Sequence, residues 1–210
     1  MQSSKNGWRR ALSGTAMMFC VAACTAQTPT LPQAPKGTTR AMATVVKDAT
    51  WSEWQAENNS EFQCDPGKVL VGRERVWEAD ENKGTRHLCA TVVSGGEATT
   101  TEVVPWSDLL PEQDHRYSCD EDQHQNKVMV GRKHDGDEES DKPGEGTKYR
   151  CAALFDHFGD ELFISSGPSQ KIDDEYYHGR FVCGANQVMT YRSHFGDERK
   201  PTYYKCATVW

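Results

Sequence analysis

Six cysteines constrain this chain more than any other feature, because they recur as three pairs with the same neighbours. The first cysteine of each pair, Cys64, Cys119 or Cys183, follows an aromatic by two positions, at Phe62, Tyr117 and Phe181. An apolar run comes next: Val69-Leu70-Val71-Gly72-Arg73, Val128-Met129-Val130-Gly131-Arg132 and Val188-Met189-Thr190-Tyr191-Arg192. Each copy then closes on Cys-Ala, at Cys89-Ala90, Cys151-Ala152 and Cys206-Ala207. Trp51 and Trp106 both stand 13 residues before the first cysteine of their copies. Self-similarity at a period in the tens of residues is the mark of a repeat architecture. The copies are read as 45–93, 94–155 and 156–210, packed as one domain.

Six cysteines admit many connectivities, but the repeat singles out the one in which each copy closes on itself: 64–89, 119–151 and 183–206. A bridge across about 25 residues contributes roughly 3 to 4 kcal/mol in the chain-entropy model. Such staples suit a chain with 36% hydrophobic residues and a mean hydropathy of −0.77, which buries only a modest core. The cysteine spacing contains no C-x-x-C or clustered His/Cys pair of the kind that holds zinc.

The apolar runs are short, rich in Val, Thr and Tyr, and bounded by Gly, Asp, Pro and Lys, which predicts strands. The expected fold class is all-β: three disulfide-closed β-hairpin repeats, arranged about a pseudo-threefold axis or stacked in line. Strict alternation puts Val69, Val71, Arg73 and Arg75 on one side of their strand, and likewise Val128, Val130, Arg132 and His134. In the third copy Val188, Thr190, Arg192 and His194 share a side, opposite Met189, Tyr191 and Ser193. Trp51 and Trp106, at matched positions, are expected to be the main core residues of their copies.

The N-terminus reads as a targeting segment. Lys5, Arg9 and Arg10 precede an apolar stretch from Ala11 to Ala23, and Val21-Ala22-Ala23-Cys24 forms a cleavage box. This resembles a bacterial lipoprotein signal over residues 1–23, and the resemblance implies that Cys24 is lipidated. Thr25 rather than Asp after the cysteine points, by the same resemblance, to the outer membrane of a cell envelope. The other reading is an ordinary secretory signal cleaved near Ala26. Residues 24–44, with Pro29, Pro32, Pro35 and Gly37, read as a flexible tether. The membrane is then met through the lipid anchor only.

Removing the three basic residues of the signal leaves 21 basic against 31 acidic residues, a formal charge of −10. Nucleic-acid binding, which relies on a surplus of Lys and Arg, is not expected.

The candidate ligand-binding residues lie at the repeat turns. Arg73, Arg132 and Arg192 recur in all copies, as hairpin braces paired with turn acids or as ligand contacts. His134 and His194 follow two positions later, solvated or bracing the turn, while the first copy has Arg75 instead. The turns carry Asp137, Asp197 and Glu198, and Tyr177 and Tyr203 are expected as surface halves of the Tyr176-Tyr177 and Tyr203-Tyr204 pairs. Asp135, Asp137 and Glu138 offer oxygen ligands for calcium, although their spacing does not match the twelve-residue calcium loop. No other cofactor is expected. The serines lack a recognisable nucleophile turn, so no catalytic residue is assigned and an enzyme is not expected.

The stretches "FQCDPGKVLVG" (Phe62 to Gly72) and "DERKPTYYKC" (Asp197 to Cys206) resemble the disulfide-loop repeats of dermatopontin-type proteins. That family closes its loops with Asp-Arg-x-Trp, where this chain has Arg86-His87, Lys148-Tyr149 and Tyr203-Tyr204. The resemblance implies an adhesive or glycan-binding surface protein. The functional expectation is therefore non-catalytic binding of an extracytoplasmic ligand, a glycan ahead of an envelope or extracellular protein. The alternatives are an envelope hydrolase using acids from different repeats, and a protein-binding inhibitor or structural lipoprotein.

Overall fold

Runs of β-branched residues separated by Asn, Gly and Asp turns fold into short antiparallel strands. The computed structural model describes residues 43–76, 84–111, 114–121, 125–136, 145–173, 179–196 and 200–210. Among them are thirteen strands and no helix, so the protein is all-β. In chain order these are β1 (Thr44–Trp51), β2 (Ser60–Gln63), β3 (Lys68–Arg75), β4 (Thr85–Ser94), β5 (Glu97–Ala98), β6 (Thr100–Val103) and β7 (Asp114–Ser118). They continue with β8 (Val128–Asp135), β9 (Gly146–Phe155), β10 (Ile164–Ile172), β11 (Arg180–Val182), β12 (Gln187–Phe195) and β13 (Thr202–Val209). All belong to one compact unit, Arg40–Trp210.

Three sheets result, with strand orders β1-β4-β3-β11 (β5 adding to β4), β2-β8-β9-β6 and β10-β13-β12-β7. The hairpins β3–β4, β8–β9 and β12–β13 are those expected, and the bridges join Cys64 to Cys89, Cys119 to Cys151 and Cys183 to Cys206. The lead-in strands, however, do not stay with their own hairpins. β2 pairs with β8 of the second copy, β7 with β12 of the third, and β11 with β3 of the first. The exchange is thus cyclic. It is compatible with bridges inside each copy because a disulfide fixes only one Cα pair, here 5.6 to 5.8 Å apart, and leaves the strand free to form its ladder elsewhere.

Strict alternation along the central strands is also corrected. Each hairpin has a register shift at the same place, between Leu70 and Gly72, Met129 and Gly131, and Met189 and Tyr191. A bulge places one extra residue on the strand and reverses the side-chain parity beyond it. Leu70 therefore lines the same cavity as Arg73, as do Met129 with Arg132 and Met189 with Arg192. Val69 and Val71 instead join a separate aliphatic core with Val128, Val130, Val188, Ala207 and Val209. Gly72 and Gly131 sit at the bulges because the lead-in strand of another copy, β11 or β2, approaches so closely. A Cβ there would lie 2.8 Å from the carbonyl oxygens of Phe181 and Phe62 respectively.

The tryptophans are not the core. Trp51 and Trp106 are half-buried and lie under guanidinium groups, Trp51 with Arg86 at 4.8 Å and Arg180 at 5.2 Å, Trp106 with Arg150 at 5.4 Å. Their amphipathic rings seal the rim of the core against charged side chains. The fully buried interior is made of the aliphatic residues above and a second cluster of cystines, Leu70, Met129, Met189, Tyr149, Phe181 and Tyr204.

Candidate functional site

The recurring arginines are buried, each only 3% exposed, although arginine is rarely fully buried unless paired. They line one small cavity together with Leu70, Met129, Met189, His87, Tyr149 and Tyr204, so three strands from three sheets contribute equivalent residues. Among the described residues, their partners lie in the interior. Arg73 reaches both oxygens of Glu57 at 2.8 and 3.0 Å, and Arg132 donates to Glu57 Oε1 at 2.7 Å and to Thr147 Oγ1 at 3.0 Å. Arg192 Nη1 donates to His115 Nε2 at 2.8 Å and to the Tyr149 hydroxyl at 2.9 Å. Glu57 precedes β2, so its contact with Arg132 carries the sheet exchange in its side chains as well as its backbone. Burial works to raise the Glu57 pKa, but the guanidiniums of Arg73 and Arg132 hold it well below the usual carboxylate range.

Each arginine faces an aromatic two residues before the closing cysteine: His87 opposite Arg73, Tyr149 opposite Arg132 and Tyr204 opposite Arg192. Each of these rings stacks on the lead-in aromatic of its own copy. Phe62–His87 and Phe181–Tyr204 lie 4.4 Å apart and Tyr117–Tyr149 5.1 Å apart, all within 16° of parallel. His87 is the exception in chemistry: it is 2% exposed and neither ring nitrogen has a hydrogen-bond partner. Burial and the nearby Arg73 and Arg132 push its pKa well below the ordinary imidazole value.

The other candidates are distributed as follows. His134 and His194 are buried rather than solvated, at 1% and 5% exposure, with Nδ1 beside the hydroxyls of Thr147 (3.2 Å) and Thr202 (3.0 Å). The bulge turns them inward with their arginines. Tyr203 is half-buried while Tyr204 is 1% exposed, as neighbours on a strand require. Asp135 lies 3.4 Å from Lys133. Cys24, Asp137, Glu138, Tyr177, Asp197 and Glu198 lie outside the described residues.

A surface feature missed by sequence reasoning lies beside β10 and β13. Phe163 and Trp210 exchange both backbone hydrogen bonds, at 2.9 and 3.1 Å, so their side chains stand on the same face. They are 72% and 66% exposed. Phe158, 71% exposed, is presented by the turn Asp156–Asp160, in which Asp156 Oδ1 accepts from the amides of Phe158 (2.8 Å) and Asp160 (3.0 Å). Exposed acids, Asp160 and Glu161, stand between these aromatics in the chain. Large exposed aromatics on an ordered frame are costly in water and mark interaction surfaces. The signal was the Asp-His-Phe-Gly-Asp turn, where an aromatic between turn formers has nowhere to bury.

No protein-family model, curated protein or solved structure matches the chain.

Proposed function

We propose that this protein is a non-catalytic binding module, held at a bacterial cell envelope by a lipid on Cys24, that meets an extracytoplasmic glycan through Phe158, Phe163 and Trp210. The observation that carries this reading is the Phe163–Trp210 pair, two flat rings on one face and mostly open to solvent. Sugar rings present apolar C–H faces that such rings can cover, with hydroxyls left for hydrogen bonds to the acids Asp160 and Glu161. The recurrent arginines then serve the scaffold. Their role is to join the three sheets and hold the aromatic surface rigid, which reduces the ordering cost of binding.

A glycan array probed with the compact unit from Arg40 to Trp210, once with calcium and once with chelator, tests the reading. Selective, saturable binding supports it, and loss in chelator brings calcium into the site. A blank array under both conditions rejects the glycan.

A further inference from the structure

We propose that the arginine cluster is an acid-sensitive lock, which holds the exchanged strands β2 and β7 in place only while His87 and His115 are uncharged.

The requirement at His115 is one of lone pairs. An arginine guanidinium has only donors, so the 2.8 Å contact from Arg192 Nη1 makes Nε2 of His115 an acceptor. A neutral ring with its proton on Nδ1 meets that requirement. Tyr149 of β9 lies on the same nitrogen at 2.7 Å and also receives Arg192. The ring of His194, across the β7–β12 ladder, lies 6.4 Å away. A proton added to Nε2 removes the acceptor and sets a cation against Arg192. β7 then loses a buried side-chain link to both β12 and β9.

At His87 the requirement is one of charge. The ring packs on Phe62 of β2, and is faced by Arg73 of β3, Arg132 of β8 and Arg192 of β12, with Glu57 ahead of β2 as the described carboxylate nearby. Neither ring nitrogen has an acceptor to receive a second N–H. Unfolded His87 takes up a proton near 6.5, whereas folded His87 does so only at lower pH. The unfolded form therefore binds more protons in that interval. The stabilisation is whole above about pH 6.5 and is lost as the pH falls below it. Glu57 remains ionised through this range, so the loss belongs to the histidines.

Both strands end next to a bridged cysteine, β2 at Cys64 and β7 at Cys119, so each stays tethered when its ladder opens. The device yields local release of two strands rather than loss of the chain's fold.

Hydrogen exchange on the intact chain, read as protection factors between about pH 7.5 and about pH 5, tests this. The expected result is a tenfold or greater loss of protection in residues 60–63 and 114–118, with β9 and β13 unchanged. The double variant His87→Tyr/His115→Gln should keep its protection at the lower pH, since neither new side chain titrates there. Equal loss in the double variant, uniform loss over all strands, or no loss in the wild type overturns the proposal. Should the double variant not fold, NMR titration of the wild-type imidazoles decides. His87 and His115 should protonate in step with strand release, and protonation with both strands still protected contradicts the lock.

Discussion

Arg132 of β8 donates to Glu57 at 2.7 Å, across 75 residues of chain and between two copies of the repeat. The same carboxylate takes both contacts from Arg73, so one acid neutralises parts of two sheets. Removing one partner of a buried ion pair leaves the other charge stranded, at a cost of about 3 to 5 kcal/mol. Glu57→Gln should lower stability by that amount in urea unfolding. Glu61→Gln, at an exposed residue 3.7 Å from the half-buried Lys133, should change it by no more than about 0.5 kcal/mol.

The bulge glycines make a second prediction. Gly131→Ala puts a Cβ 2.8 Å from the Phe62 carbonyl and 3.0 Å from the Trp106 ring, so β2 must move off β8. The expected loss is about 1 to 3 kcal/mol. Gly96→Ala meets no atom within 4 Å, and its cost is confined to the strain of its +96° φ. Fast exchange of the β2 amides in Gly131→Ala, but not in Gly96→Ala, would show the displaced strand.

Much of this was legible in the chain. Cysteine spacing, apolar runs and turn residues place the hairpins and bridges, because each is a local signal. The strand exchange is not local. Phe62-x-Cys64 satisfies its own disulfide whether β2 pairs with β3 or with β8, so spacing cannot distinguish the two. The inward turn of Arg73 and His194 depends on a one-residue bulge that period-two counting passes over. Glu57 did leave a trace: it follows Trp51 by six positions, as Glu112 follows Trp106. Phe163 and Trp210 belong to no repeated signal, and it is the pairing of their backbones that places both side chains on one face.

Disulfide removal gives a third prediction. Cys64→Ala/Cys89→Ala should cost about 3.5 kcal/mol for the 25-residue separation, read as a lower midpoint in denaturant. The loss should be larger than that from any surface ion pair.

Tyr117 supplies a pH prediction on the alkaline side. Burial pushes its phenol up to about 12, above its ordinary value of 10.0. The folded state therefore holds a proton that the unfolded state gives up, and the contribution is present below pH 10 and lost as pH rises through about 12. Spectrophotometric titration of the wild type minus Tyr117→Phe should show this late-titrating phenol, and the variant's stability should depend less on pH in that range.

The most direct test of the account is the affinity of the compact unit for the best glycan on the array, compared with Phe163→Ala/Trp210→Ala. These side chains are mostly exposed, so the double variant should melt within a few degrees of the wild type. The account predicts at least a tenfold loss of affinity with the fold retained. Unchanged affinity, or the absence of any bound glycan, would contradict it.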